Sequence, residues 1–98
     1  MSAPAALDTS AVPVLPRGVR MQADRVRGGT VLLGPERVLL LDEIGVAILT
    51  RVDGRTAIGA ISADLARTYD APEEAIRGDV IEYLSDLAGK RLVERTDG

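Results

Sequence analysis

The sequence contains no cysteine, no histidine, no tryptophan and no phenylalanine. It therefore lacks the usual ligands of zinc and iron–sulfur clusters, and it lacks disulfides, Cys–His nucleophiles and the commonest general base. Two tyrosines are the only aromatic residues, so Leu, Ile, Val and Ala must form the core. We expect no metal and no cofactor, and a protein that is not an enzyme.

Long apolar runs are also absent. No segment approaches the roughly 20 apolar residues that span a membrane, and the N-terminal region has no basic stretch followed by an apolar one. The 98 residues suffice for one domain, and the formal net charge of −3 should repel nucleic acid and anionic lipid. We expect a cytoplasmic protein that binds another polypeptide, with no nucleic acid and no membrane among its partners.

The N-terminal segment differs in composition from the remainder. Residues 1–16 are rich in Ala, Pro and Ser without a sustained period, which predicts a flexible tail or linker. Residues 17–96 are predicted to form the domain. Strands are predicted at residues 19–23, 30–33 and 38–41, forming a small antiparallel meander. The last two strands do not alternate with polar residues, which indicates that both faces of the sheet are covered.

Apolar residues at helical spacing predict three helices after the strands. Asp42 is expected to cap the first helix and Thr56 the second, while Pro72 suits the first turn of the third. Gly89 should end the third helix, and a last strand is predicted at residues 92–93. The predicted fold is therefore α+β and winged-helix-like, with a three-stranded antiparallel sheet followed by a three-helix bundle.

Two adjacent acidic pairs, Asp42-Glu43 and Glu73-Glu74, are the candidates for acid–base catalysis. Both pairs lie where a helix should begin, and carboxylates there cap free amides and complement the helix dipole. No cluster of His, Cys or Lys accompanies them, since Lys90 is the only lysine. A small carboxylate-dependent enzyme is therefore a minor alternative.

The winged-helix arrangement also raises the alternative of a DNA-binding protein, whose third helix would enter the major groove. Residues 72–89 carry five acids and one base, so this helix should repel a duplex, whereas residues 17–37 carry five arginines and two acids. A basic sheet edge beside an acidic helix favours an extended peptide of mixed charge. Ordinary surface charge is the competing explanation.

Three motifs, in order, carry a resemblance to a known family: VLPRGVRMQ at residues 14–22, VLLGPERVLLLD at 31–42 and ILTRVDG at 48–54. They resemble PqqD, the peptide chaperone family of pyrroloquinoline quinone (PQQ) biosynthesis, and the similarity continues from residue 58 to 94. The resemblance implies a recognition domain for ribosomally made, modified peptides (RiPPs). It further implies two partners, the precursor peptide PqqA and the radical S-adenosylmethionine (SAM) enzyme PqqE, to which the peptide is presented.

The resemblance also implies a binding site, because related domains hold a leader peptide as an added strand on the third strand, in a groove closed by the third helix. The residues expected to bind peptide are Arg37, Val38, Leu39, Leu40, Leu41, Ile76, Asp79, Val80, Tyr83, Leu84 and Leu87. Arg37 and Asp79 are expected to supply polar contacts, and aliphatic core is the competing explanation for each leucine. A short edge strand leaves a monomer or a weak homodimer as the expected state.

Overall fold

A three-stranded antiparallel sheet followed by three helices forms the domain, which confirms the predicted α+β class. The computed structural model describes residues 7–96. Its elements are β1 (Pro13–Val14), β2 (Arg20–Ala23), β3 (Thr30–Leu33), β4 (Val38–Leu41), α1 (Glu43–Thr50), α2 (Ile58–Tyr69), α3 (Glu73–Gly89) and β5 (Glu94–Arg95). In this part of the chain no helix has the length and apolarity that a membrane crossing requires.

The sheet is a meander in the order β2-β3-β4, with β3 in the centre. Its register places Met21 opposite Leu32 and Leu32 opposite Leu39, and these side chains pack on the helices. Since successive side chains of a strand point to opposite faces, Val31 and its partner Leu40 lie on the other face. Within residues 7–96, β4 pairs with β3 alone and is therefore an edge strand.

The starts of α1 and α3 follow the sequence signals. Asp42 Oδ1 accepts a hydrogen bond of 2.7 Å from the Gly45 amide, which confirms the predicted cap. Pro72 occupies the N-cap of α3, one position before the first turn in which it was expected, and Glu73 and Glu74 lie in that turn. Carboxylates thus favour the start of both helices, and the fixed φ of Pro72 additionally favours the start of α3.

The start of α2 differs from the prediction. Ala57 is its N-cap and supplies no side-chain hydrogen bond, while the Thr56 hydroxyl donates to Asp53 instead. The first backbone amides of α2 donate hydrogen bonds to carbonyl groups that lie far away in the sequence. The Ile58 amide donates to the Ala11 carbonyl and the Gly59 amide to the Thr9 carbonyl, both at 2.9 Å. Backbone carbonyls of the N-terminal segment therefore cap α2 in place of a capping side chain.

This N-terminal segment packs on the domain from residue 7 onward, in contrast to the flexible tail predicted for residues 1–16. Leu7 and Ala11 are buried, and β1 pairs antiparallel with β5. The segment shows no sequence period because turns and isolated hydrogen bonds hold it, and no helix or long strand does. Residues 1–6, which the same prediction covers, lie outside the described residues. Packing thus begins before the predicted domain boundary at residue 17.

The core lies between the inner face of the sheet and the helices. Its buried aliphatic residues include Leu32, Leu41, Ile48, Leu49, Ile58, Ile61, Leu65, Val80, Leu84 and Leu87. Leu92 and Val93, predicted as the last strand, are also core residues, and β5 begins immediately after them. The sequence predicts a strand there because a pair of buried aliphatic residues is compatible both with a strand and with a loop packed on the core.

Candidate functional site

The free edge of β4 is the first feature of the candidate site. Val38 and Leu40 are 63% and 67% exposed, whereas Leu41 is buried and Leu39 is half-buried against the core. The unbroken apolar run therefore has one face on the core and one in solvent. A free strand edge presents backbone N–H and C=O groups to which an extended peptide can add.

The hydrogen-bond pattern of the β3–β4 hairpin identifies the backbone groups at that edge. The Gly34 amide donates to the Arg37 carbonyl across the turn. Hydrogen-bonded and non-hydrogen-bonded pairs alternate along an antiparallel ladder, so Leu39 is the next residue of β4 bonded to β3. It follows that Val38 and Leu40 direct their N–H and C=O groups away from β3, toward the free edge.

The α3 residues predicted to bind peptide divide by burial. Val80, Leu84 and Leu87 are at most 2% exposed and belong to the core, so they offer a ligand almost no surface. For these three side chains the competing explanation, aliphatic core, applies. Ile76 and Tyr83 are half-buried at the margin of the core, and Asp79 is exposed.

Two close contacts relate α3 to β4. A methyl group at Gly45 would collide with the Tyr83 hydroxyl, so the ring lies over the first turn of α1, just after β4 ends. At the other end of the strand, a methyl group at Gly34 would lie 2.6 Å from the side chain of Leu92. The segment from Tyr83 to Leu92 therefore extends from the end of β4 toward its start. Burial, together with the carboxylate of nearby Asp42, raises the pKa of Tyr83 above its ordinary value of 10.

Charges of opposite sign flank this region. Arg37, just before β4, is exposed and forms no ion pair with the described acids. Arg77 of α3 pairs with Glu73, and Lys90, directly after the helix, pairs with Asp86. The remaining acids of the helix, Glu74, Asp79 and Glu82, form no ion pair within residues 7–96. This charge does not favour DNA as a ligand for α3.

The carboxylates with shifted pKa values are all poorer bases than usual. The pKa of Asp53 is lowered chiefly by the Arg55 amide, that of Asp64 by the Arg51 side chain, and that of Asp8 by a serine hydroxyl. A general base that works near neutral pH needs a raised pKa instead. In the described chain, no cluster of acids is placed to hold a metal ion.

Sequence reasoning missed the second surface, which we call the outer face. It is a concave basin of about 1060 Å³ lined by Gln22, Ala23, Asp24, Arg25, Val26, Arg27, Val31, Leu33, Val38 and Leu40. The prediction that both faces of the sheet are covered is wrong, because the described residues leave this face open. The signal was available: Val31 and Leu33, and likewise Val38 and Leu40, are spaced by two and share one face.

Comparisons with known proteins agree with one another. The family model described as coenzyme PQQ synthesis protein D (PqqD) matches residues 29–93. The bifunctional coenzyme PQQ synthesis protein C/D of Methylorubrum extorquens is 48% identical over 92 residues, which cover 94% of this chain but only 25% of that protein. The PqqA binding protein of Rhizobium meliloti is 46% identical over 85 residues, 87% of each chain.

Two solved structures are similar as well. The solution structure of the PqqD truncation of Methylobacterium extorquens PqqCD is described as a functional, stand-alone RiPP recognition element. It is 48% identical with a TM-score of 0.80, covering 92% of this chain and 96% of that one. The crystal structure of PqqD from Xanthomonas campestris is 42% identical with a TM-score of 0.56, covering 93% and 91%.

Proposed function

The chain belongs to the PqqD family, as its motifs predict, and on that premise we propose that it binds the precursor peptide PqqA by strand addition to β4. Relatives named PqqA binding protein and a related RiPP recognition element support the peptide as ligand. The observation that carries the mechanism is the free edge of β4, whose outward backbone groups belong to Val38 and Leu40.

An added strand would direct its side chains alternately to the two faces of the sheet. One set would lie beside Leu39, toward α3, and the other beside Val38 and Leu40 on the outer face. The proposed contacts are Arg37, Val38, Leu39 and Leu40 of β4 and Ile76, Asp79 and Tyr83 of α3. Leu41, Val80, Leu84 and Leu87 would support these contacts from the core. The peptide should accordingly be apolar on both sides where it meets β4.

The role of the domain is to hold and present the peptide, without bond-making. The proposed recipient is the radical SAM enzyme PqqE, in the cytoplasm. Holding a peptide near an enzyme converts a weak second encounter into an effectively intramolecular one, so the rate rises through positioning. Because the product must be released, we expect a moderate affinity, on the order of micromolar, or about −8 kcal/mol.

Titration of the ¹⁵N-labelled chain with synthetic PqqA peptide tests the proposal. We expect saturable amide shifts concentrated in residues 37–41 and 76–83, with smaller changes in α2. Shifts confined to α2 and the β1–β5 ladder would place the ligand elsewhere and contradict strand addition. No shifts at near-millimolar peptide would contradict peptide binding itself.

A further inference from the structure

We propose that the outer face of the sheet is a second interaction surface, which takes a protein with an acidic rim around an apolar centre. The inference rests on the proposed function, under which that protein is the enzyme that modifies the bound peptide. The outer face shares β4 with the peptide site but lies on the side of the sheet opposite the helices. Peptide and enzyme could therefore occupy the domain together.

The centre of the outer face is apolar and exposed. Val38 and Leu40 project from β4, and Val26 at the tip of the β2–β3 loop is 94% exposed. Leu33, half-buried, pairs with Val38 on the same face, and the basin can receive several side chains of a partner. A contiguous exposed apolar patch with a polar rim marks an interaction site more often than chance exposure does.

The rim of the outer face is basic. Three arginines border it, Arg20, Arg25 and Arg27, and all three are exposed. None of the three forms an ion pair with an acid of residues 7–96. The neighbouring carboxylate of Asp24 accepts hydrogen bonds from the amides of Val26 and Arg27, so it shapes the loop. The uncompensated charge fits an acidic partner.

The same observations disfavour other occupants. A second copy of the chain, docked face to face, would bring two sets of uncompensated arginines together. Nucleic acid would suit the rim, but the face holds no aromatic side chain to stack on bases, and its centre is apolar. A peptide bound to β4 would enlarge the outer face, because those of its side chains that point away from the helices would lie beside Val38 and Leu40. The enzyme should therefore bind the peptide-loaded domain more tightly than the free one.

The experiment uses the full chain, synthetic PqqA peptide and PqqE of the same organism. Peptide affinity is measured first, followed by the affinity of the enzyme for the free and the loaded domain. Val26→Asp and Arg27→Glu should each weaken enzyme binding about tenfold and leave peptide affinity unchanged. Arg55→Glu is the matched control, because it reverses the same charge at an exposed residue away from the outer face.

The outcomes separate the two proposals. If the unaltered chain fails to bind peptide, the proposed function fails before the enzyme is added, and the inference fails with it. If peptide binds but the enzyme does not bind, or binds all variants equally, the outer-face inference alone is overturned. It is also overturned if Val26→Asp abolishes peptide binding, or if sedimentation shows self-association that Val26→Asp removes.

Discussion

Replacing Leu40 by proline tests strand addition at a single backbone group. Proline has no N–H and is tolerated on an edge strand where the lost N–H faces outward. The alternation of the β3–β4 ladder directs the Leu40 amide to the free edge. Leu40→Pro should therefore spare the domain while removing one hydrogen bond to an added strand.

The matched control is Leu40→Ala, which keeps the amide and removes most of the exposed side chain. A net backbone hydrogen bond contributes about 1 kcal/mol, so PqqA should bind Leu40→Pro about fivefold more weakly than Leu40→Ala. The proline ring also occupies space at the edge, which would increase the difference. Isothermal titration of both variants measures it.

Stability must be measured alongside affinity. Because no internal hydrogen bond is lost, the free energy of unfolding in urea should differ by no more than about 1 kcal/mol between the two variants. Equal peptide affinities would refute strand addition at this edge. Unfolding of Leu40→Pro would instead refute the inferred direction of its amide, and Val38→Pro, whose amide shares that direction, would then unfold as well.

Three further predictions concern the fold that holds the site. Gly45→Ala should destabilise the domain by about 1–3 kcal/mol through overlap with the Tyr83 hydroxyl. Adding Tyr83→Phe to the same chain should recover part of this loss. If urea unfolding of the double variant shows no recovery, the contact is contradicted. Deleting residues 1–12 should cost about 3 kcal/mol, the sum of a buried leucine and two helix-start hydrogen bonds, and an unchanged thermal midpoint would show that α2 needs no partner for its first amides. Since Arg51 lowers the folded-state pKa of Asp64 below 3.8, its contribution is complete above that value and is lost as the pH falls through the folded pKa. Asp64→Asn should therefore flatten the fall in stability below about pH 4, and parallel acid unfolding curves for both chains would rule out this pairing.

The elements that could be predicted are those with local signals. The strands at residues 30–33 and 38–41 lie between turn residues, and Asp42 is followed at once by a helical apolar pattern. The start of α2 had no such signal, because its amides bond to Thr9 and Ala11, far away in the chain. Contacts between residues so far apart in the sequence cannot be predicted from the pattern of neighbouring residues.

The candidate site was predictable only in part. The apolar stripe of α3 combines core residues such as Leu84 with marginal ones such as Tyr83, and spacing alone does not separate them. The edge position of β4 depends on which strands pair, which is a property of the whole topology. The family resemblance supplied that strand as a site. The spacing by two places Val38 and Leu40 on one face, but only the folded arrangement shows that this face is open.

The small ladder between β1 and β5 has a consequence for covalent architecture. Pro13 lies opposite Arg95, and the Thr96 amide donates to the Val12 carbonyl, so the chain enters and leaves this ladder on the same side. Residues 12 and 96 therefore come together at one corner of this fold, and a covalent link between them would close residues 12–96 into a ring without moving the strands or helices.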